Sequence, residues 1–226
     1  MVQPVKTSGI YENQPNPFGF TSRMALSARR KMFRQLMERI KPEPAWTVLD
    51  VGVTCNRRVE SNFFEKMYPW SASITATGIE DGVFLAEDFP GLRFLRTAPG
   101  PLPFADREFD LVVSFAVLEH VGSRAQQSAF VREMHRVGKR VFITTPNRFY
   151  PVEFHTLTPF LHWLPMPLFR RYLRLIGNPF YAQEENLNLL TRMEFFEMLP
   201  VDWRIEPAHS RFFGLMSNLC FYSQRT

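Results

Sequence analysis

Residues 46–53, with the sequence WTVLDVGV, decide the fold. Positions 48–51 are short, apolar apart from one acid and rich in β-branched side chains, as expected of a strand buried on both faces. Gly52 follows at once, and a glycine just past a parallel strand allows a tight turn and the close approach of a ligand. The stretch therefore predicts the first strand of a parallel sheet, with a ligand site at its carboxyl end.

Two further stretches have the same form. Residues 74–81, ITATGIED, predict a second strand that ends in the carboxylates Glu80 and Asp81. A carboxylate in this place in a doubly wound sheet can accept hydrogen bonds from both hydroxyls of a ribose. Residues 109–115 predict another buried strand, and the polar pair Glu119 and His120 comes soon after it.

Four blocks carry a family resemblance: VLDVG at 48–52, TGIED at 77–81, LPFADREFDLVVSFAVLEHV at 102–121 and KRVFITTPN at 139–147. In this order they resemble the class I S-adenosylmethionine-dependent methyltransferases, most closely the small bacterial type with an LPF…FD…LEH signature. The resemblance covers residues 46–147 well and the rest loosely. It implies S-adenosyl-L-methionine as cofactor and methyl transfer as activity, although a fold alone does not fix a function.

Strands alternate with helical segments along most of the chain, which predicts a parallel sheet with helices on both faces. We expect an α/β fold, Rossmann-like and doubly wound, with a mostly parallel seven-stranded sheet, an antiparallel C-terminal edge and a helical lid insert. The helices are predicted at 23–40 (capped by Ser22), 60–68, 82–88, 123–137, 168–176 and 191–199. The strands are predicted at 48–51, 74–81, 92–95, 109–115, 140–145, 203–206 and 217–223.

The length of 226 residues suggests one domain with additions. We divide it into an N-terminal arm and helix (1–45), a cofactor-binding core (46–147), an aromatic and basic lid insert (148–190) and a final helix and strands of the same domain (191–226). In the resembled family a helix in the place of 23–40 often closes over the cofactor or substrate. We favour a packed surface helix whose basic face lies in solvent.

Composition excludes several classes of protein. The chain is 45% hydrophobic and 22% charged, so a sizeable core is expected and global disorder is not. We find no apolar run of about 20 residues, no signal peptide and only two cysteines, Cys55 and Cys220, which favours a cytoplasmic location with reduced thiols. The net charge of +5 suits nucleic acid, an anionic membrane or an acidic substrate and selects none of them. No nucleic-acid-binding motif is present.

The resemblance assigns a set of cofactor-binding positions. Asp50 and Gly52 match the first motif, Glu80 matches the ribose-binding acid, and Asp81 either assists it or caps the next helix. Phe115 and Glu119 match the stretch that lines the methionine part of the cofactor. The candidate cofactor-binding residues are Asp50, Gly52, Thr54, Glu80, Asp81, Ala98, Phe115 and Glu119.

The first motif departs from the usual pattern Asp-x-Gly-x-Gly-x-Gly. Thr54 and Asn56 replace the second and third glycines. Asparagine tolerates a left-handed backbone, but a β-branched threonine does not, so we expect this loop to take a different course. Ala98 stands where the family often has an acid that contacts the adenine amino group, so that contact would have to come from elsewhere.

Two histidines are candidate general bases, because an unperturbed pKa of about 6.5 suits proton removal near neutrality. His120 either does this or only orients Glu119. His155 belongs to a polar cluster past the fifth predicted strand, whose members suit a hydroxyl-rich or charged acceptor such as a sugar: Asn147, Arg148, Tyr150, Glu153 and His155. The alternative is a structural loop whose polar groups satisfy its own backbone. Methyl transfer from a sulfonium requires no metal, and none is expected.

We therefore expect transfer of a methyl group from S-adenosyl-L-methionine to an O or N atom of a small-molecule, sugar or lipid-linked glycan acceptor. One alternative is a non-catalytic or partner-dependent binding protein with a degenerate glycine loop. Another is a peripheral membrane protein that works at the inner face of the membrane through residues 157–176, where Arg170, Arg171 and Arg174 supply a basic face. A lid packed on the sheet is favoured over the latter, and the oligomeric state is left open.

Overall fold

The computed structural model describes residues 19–55, 57 and 61–225, and side chains from residue 26 onward within those ranges. The helices are α1 Gly19–Ile40, α2 Phe63–Met67, α3 Phe84–Asp88, α4 Arg124–Val137, α5 Met166–Leu175 and α6 Arg192–Glu197. The strands are β1 Val48–Val51, β2 Ile74–Gly78, β3 Arg93–Arg96, β4 Leu111–Phe115, β5 Arg140–Pro146, β6 Val152–Glu153, β7 Thr158–Pro159, β8 Trp203–Pro207, β9 Ser210–Phe212 and β10 Leu215–Arg225. Single 3₁₀ turns lie at Ser71–Ser73, Leu118–His120 and Leu161–Trp163.

The main sheet has the strand order β3-β2-β1-β4-β5-β10-β8, and β9 pairs with the start of β10. Strands β1 to β5 are mutually parallel, whereas β10 runs antiparallel to both of its neighbours. The predicted α/β class and mostly parallel sheet are therefore confirmed. The antiparallel C-terminal edge is also confirmed, with β10 between β5 and β8 and β8 at the edge of the sheet. One detail differs, because β9 adds an eighth strand.

Side chains of β1 alternate between two hydrophobic clusters, one on each face of the sheet. Val48 packs in the cluster that contains Leu36 and Phe64, and Leu49 packs in the cluster that contains Met134. All of these side chains are almost completely buried. The doubly buried strand expected from the sequence is therefore present.

Helix α1 packs as expected but begins earlier. Its buried side chains are Met32, Phe33, Leu36 and Ile40, while Arg30, Lys31 and Arg34 are exposed. The prediction that Ser22 caps this helix is wrong, because Ser22 lies inside the first turns of α1. The helix continues through residues 19–22, so the serine does not stand at its end although its side chain is of a type that often caps helices.

Helices α2, α3, α4 and α6 begin one to three residues later than predicted, whereas α5 begins two residues earlier; one predicted capping box is confirmed, and a second one is found. Helix α2 covers five residues, and the start of its predicted range falls outside the described residues. Ser123 accepts the Gln126 amide at the start of α4, in a capping box. Thr191 and Glu194 form the predicted capping box at the start of α6.

The segment between β5 and α6 has a small core of its own. Phe169 and Leu173 of α5 are fully buried against a cluster that includes Leu187 and Leu189. The sequence pattern predicts that Leu168 and Ile176 share the apolar face of this helix with Phe169 and Leu173. That prediction is wrong for Leu168 and Ile176, which are 53% and 49% exposed. The reason is that α5 is covered on one narrow side only, by the chain that follows it. The antiparallel pair β6–β7, which no sequence pattern predicted, lies in the same segment.

Within the part of the chain that the structure describes, no helix combines the length and apolar character needed to cross a bilayer. Both cysteines are free thiols, Cys55 half-buried and Cys220 buried.

Candidate active site

The carboxyl ends of β1, β2, β4 and β5 meet at one edge of the sheet, because these strands are parallel neighbours. In open α/β sheets this edge is where ligands bind. It carries nearly all of the site residues predicted from the sequence, in two groups. The first group follows β1 and β2, and the second follows β4 and β5.

Two buried carboxyl groups face each other beside the end of β1. Asp50 on β1 and Glu65 on α2 are 6% and 3% exposed, and their side chains are hydrogen-bonded. Burial, and then the charge of Glu65, raise the pKa of Asp50 well above its usual range, and burial also raises the pKa of Glu65. The pair therefore shares a proton when no cation is near, because two buried carboxylates cannot both ionise cheaply.

Glu65 was missed by the sequence reasoning, which treated its segment only as a crossover helix. The available signal was a single acid inside an aromatic pentad, Phe63-Phe64-Glu65-Lys66-Met67. Its Oε1 atom is buried and makes no hydrogen bond within the described residues. A buried carboxylate oxygen in that state is a strong acceptor for an added cationic donor.

Gly52 must be glycine for two reasons. Its φ is +94°, and a Cβ there would lie 2.6 Å from Cγ2 of Val117. Its amide and that of Val53 both donate to the Thr77 carbonyl, at 2.8 and 2.9 Å, which binds this turn to the end of β2. Thr54 does not have a positive φ, so the loop takes the different course expected for a β-branched residue. Asn56 lies outside the described residues.

The end of β2 places Glu80 beside this turn. Glu80 is half-buried, and its backbone amide donates a hydrogen bond to the Cys55 sulfur. Burial, and then the charges of Glu80 and Asp81, raise the pKa of the Cys55 thiol to about 11. Asp81 Oδ1 accepts the Val83 amide at 3.1 Å, so its side chain closes a turn just before α3, and the start of α3 has no side-chain capping hydrogen bond among the described residues. Ala98 is exposed past the end of β3.

The end of β4 is strained. Phe115 packs edge-on against Phe63, with ring centroids 4.8 Å apart, and Ala116 has a φ of +55°. A positive φ at a non-glycine residue is costly and is often retained at functional sites. Here it turns the chain so that Val117 covers Gly52 and the Leu118–His120 turn follows directly.

The second group is a cluster of two histidines and two glutamates. The rings of His120 and His155 meet edge-on at 4.8 Å. His155 Nδ1 lies 2.6 Å from Oε1 of Glu153, and His120 Nδ1 lies 2.6 Å from the Asn186 carbonyl oxygen. Glu119 is fully buried, with Oε2 accepting the Thr145 hydroxyl at 2.9 Å. The two candidate bases, far apart in sequence, are therefore neighbours.

Burial and charge separate the pKa values of this cluster. Burial raises the pKa of Glu119 to about 7, and burial together with the charge of His155 lowers the pKa of His120 to about 3. For His155 burial acts to lower the pKa, but the adjoining Glu153 carboxylate outweighs it and the pKa is raised. Burial opposes ionisation of Glu153, yet His155 and the Thr156 donors hold its pKa at about 2.

Other members of the predicted acceptor group bind backbone groups of the protein. Arg148 donates to the carbonyls of His162 and Leu164 in the same segment, and Asn147 Oδ1 accepts the Phe149 amide at 3.1 Å. Asn147 Nδ2 donates to the Met216 carbonyl of β10 at 2.8 Å. Arg148 and the Oδ1 atom of Asn147 therefore match the structural alternative, in which polar side chains satisfy the backbone of their own loop.

Arg124 fixes the position of the chain that supports His120, and sequence reasoning missed it. Its guanidinium donates to Gln127 at 2.7 Å, to the Leu189 carbonyl at 2.7 Å and to Glu194 at 2.9 Å. Gln127 in turn donates to the carbonyls of Leu118 and Asn188. No local pattern marks such a residue, because its partners lie about 65 positions away in the chain.

Comparisons with known proteins agree with this geometry. The family model described as "Methyltransferase domain" matches residues 68–141. No curated protein matches the sequence.

Solved structures show the same fold at low identity. A SAM-dependent methyltransferase from Thermotoga maritima has a TM-score of 0.57 and 13% identity, with 96% of each chain covered. Magnesium protoporphyrin IX methyltransferase from Synechocystis, with bound SAH, has a TM-score of 0.58 and 13% identity, covering 96% of this chain and 91% of that one. A putative methyltransferase from Haloferax volcanii, in complex with the Trm112 activator, has a TM-score of 0.55 and 11% identity, covering 92% and 94%.

Proposed function

We propose that this chain is a class I S-adenosylmethionine-dependent methyltransferase that methylates an O or N atom of a small-molecule, sugar or lipid-linked glycan acceptor, as the matching methyltransferase family model and the shared fold support. One observation carries the proposal. A carboxyl pair suited to a cofactor ammonium group and a histidine–glutamate cluster suited to an acceptor lie at the same sheet edge. Methyl transfer requires that arrangement, because donor and acceptor must be held in line.

The residues after β1 and β2 fit S-adenosyl-L-methionine, which supplies an electrophilic methyl group when bound. The Asp50–Glu65 pair accepts the ammonium group of the methionine part, since Glu65 Oε1 is a buried acceptor with no hydrogen bond among the described residues. Glu80 accepts the ribose hydroxyls. Gly52 keeps a side chain out of the turn, and Phe115 supplies an apolar wall.

The acceptor side is formed by the second group of residues. His120 and His155, the candidate bases, present their Nε2 atoms to the acceptor, either to accept its proton directly or to act through an ion that they bind, since both Nδ1 atoms bind protein oxygens. The loop that carries Glu153 and His155 is aromatic, with the rings of Tyr150 and Phe154 stacked at a centroid distance of 5.3 Å. An aromatic wall with a few polar groups suits a ring that carries hydroxyls, such as a sugar.

The test is formation of S-adenosylhomocysteine from S-adenosyl-L-methionine across a panel of sugars, amines and lipid-linked glycans. We expect turnover with at least one acceptor class and its loss in His155→Ala. His209→Gln is the matched control, because His209 lies outside the cluster, between β8 and β9. Cofactor binding with no turnover on any acceptor, alone or with added cell extract, would favour the non-catalytic binding protein.

A second candidate function is contact with an anionic membrane, and one observation favours it. Phe160, Trp163 and Leu164 are 55%, 41% and 40% exposed, and Arg171 and Arg174 of α5 are exposed nearby in sequence. Aromatic and basic side chains together are typical of membrane interfaces.

Co-sedimentation with phosphatidylserine vesicles tests this candidate. We expect binding at low salt that is lost in Arg171→Ala/Arg174→Ala. Arg170→Ala is the control, because Arg170 is 18% exposed in its side chain and lies 3.6 Å from Glu184. Equal sedimentation with neutral and anionic vesicles would rule the candidate out.

A further inference from the structure

We propose that Glu119, His120 and His155 bind a divalent metal ion of the Zn²⁺ class, with one carboxylate and two imidazole ligands. One ligand atom from each residue lies within 4.8 Å of the others. Two histidines and a glutamate form a set known from catalytic zinc sites, which keep a further position open. The site departs from the expectation that no metal is present.

The backbone brings the three ligands together from two loops. Glu119 and His120 are consecutive on the 3₁₀ turn after β4, and His155 follows β6. Ligand atoms about 2.0–2.1 Å from a tetrahedral ion lie about 3.3 Å from one another. Side-chain movements that bring the ligand atoms closer together by about 1.5 Å close the difference from the observed spacing of up to 4.8 Å.

Both histidines are held in the tautomer that metal ligation requires. His120 Nδ1 lies 2.6 Å from a carbonyl oxygen, which only accepts, so that nitrogen carries the hydrogen. His155 Nδ1 lies 2.6 Å from the Glu153 carboxylate. In the neutral ring each lone pair is then on Nε2. A histidine that donates its other N–H to a carboxylate or backbone carbonyl is the usual arrangement behind a bound metal.

The strongest single observation in favour of the metal site is the environment of the carboxylate ligand, Glu119. Glu119 is 0% exposed, and its Oε1 makes no hydrogen bond within the described residues, although it lies 3.9 Å from His120 Nε2. Glu153 is different, since it already accepts from the amides of His155 and Thr156, the Thr156 hydroxyl and His155 Nδ1. The unsatisfied acceptor is therefore Glu119 Oε1, and a cation beside it would remove the cost of its burial.

The metal site stands on this geometry, whereas its role rests on the proposed function. An acceptor hydroxyl bound through its oxygen at the open position has a lowered pKa and gives its proton to water. Its lone pair then forms the O–CH₃ bond as the S–CH₃ bond of the cofactor breaks. The electron pair of that bond stays on sulfur, which becomes a neutral thioether.

The test is titration of chelator-treated full-length protein with Zn²⁺ alone, by calorimetry and by competition with a chromophoric chelator. Co²⁺ serves as a second probe, because its visible spectrum reports nitrogen and carboxylate coordination. We expect one saturable ion per chain in the wild type. Glu119→Gln, which keeps the Thr145 hydrogen bond and the side-chain shape, should weaken binding about tenfold or more. Glu153→Gln should weaken it about tenfold as well, through the orientation of His155.

His209→Gln is the matched control and should bind as the wild type does. Equal binding by the wild type and Glu119→Gln, or no saturable binding with folded protein, would overturn the site. Thermal unfolding of each variant establishes that it is folded, and S-adenosylhomocysteine binding on the same samples reports on the cofactor site separately. If Zn²⁺ binds but no acceptor is methylated, the metal site is supported and the proposed function is overturned. Undiminished methylation in metal-free protein overturns the role in activation.

Discussion

The side chains of Asp50 and Glu65 are hydrogen-bonded to each other in the buried space beside the carboxyl end of β1. Asp50 was predicted as a site residue from the sequence, and Glu65 was not. Together they form a carboxyl pair that needs a proton or a cation. In the proposed function the ammonium group of the cofactor meets that need, so the same pair determines both the stability of the cofactor-free protein and its affinity for the cofactor.

Substituting Asp50→Asn should separate these two properties. The folded-state pKa values of Asp50 and Glu65 are both raised, so the pair stabilises the fold at pH values below the unfolded pKa, about 4, and this contribution is lost as the pH rises through the raised values. Because asparagine cannot ionise, the variant should lose less stability than the wild type between about pH 5 and about pH 8. It should also bind S-adenosyl-L-methionine more weakly.

Chemical denaturation at the two pH values, beside calorimetric titration with the cofactor, measures both effects. An equal loss of stability in wild type and variant would show that the pair does not titrate as described. Glu87→Gln, a change at an exposed carboxylate on α3, is the control.

Substituting Gly52→Ala should destabilise the protein and weaken cofactor binding. The alanine would have to adopt a φ of +94°, and its Cβ would lie 2.6 Å from Val117. The cost of the backbone conformation alone is about 1–2 kcal/mol, and the collision adds to it. Gly177→Ala is the matched control, because its φ is +78° and nothing lies within 4 Å of the added atom. Equal destabilisation of the two variants would mean that the Val117 contact does not constrain the turn.

Substituting Arg124→Ala should cost about 2–3 kcal/mol of unfolding free energy, because two carbonyls and Glu194 lose charged hydrogen bonds. The same change should lower the affinity for Zn²⁺ or the rate of methyl transfer, since the Asn186 carbonyl on His120 belongs to the chain segment that Arg124 holds. Arg124→Lys should recover only part of the stability, because an ammonium cannot reproduce the planar fork. Full stability in Arg124→Ala would contradict this role.

Substituting Thr191→Ala removes the capping box of α6 and should cost about 1 kcal/mol. Thermal unfolding measures the loss. Ser210→Ala, a change of similar size at a buried hydroxyl away from any helix end, serves as the comparison. A loss confined to Ser210→Ala would show that the cap contributes nothing.

Much of the fold could be predicted from local pattern. The runs at β1, β4 and β5 are short, apolar and buried on both faces, and the capping residues Ser123 and Thr191 stand where helices begin. The start of α1 could not be predicted, because Ser22 is a residue type that often caps helices but the helix already begins at Gly19. The pair β6–β7 could not either, since strands of two residues leave no periodicity to detect.

The sequence predicted which residues lie at the candidate site, but it did not predict most of the residues that contact them. Asp50, Glu80, Glu119 and His120 follow strands, and the parallel arrangement brings strand ends together. The contacts that decide their chemistry come from distant parts of the chain: Glu65 on Asp50, Glu153 and His155 beside His120, and the Asn186 carbonyl. Such contacts depend on tertiary packing, and a single sequence carries no direct record of it.

In the proposed function, the edge formed by the carboxyl ends of β1 and β2 binds S-adenosyl-L-methionine. Calorimetric titration with S-adenosyl-L-methionine and S-adenosylhomocysteine, with Glu80→Ala beside the wild type and Glu185→Ala as a surface control, tests it most directly. The predicted result is micromolar binding, about −8 kcal/mol, that is weaker in Glu80→Ala and unchanged in Glu185→Ala. No heat and no thermal shift with wild-type protein at about millimolar ligand, a free energy weaker than about −4 kcal/mol, would contradict the account.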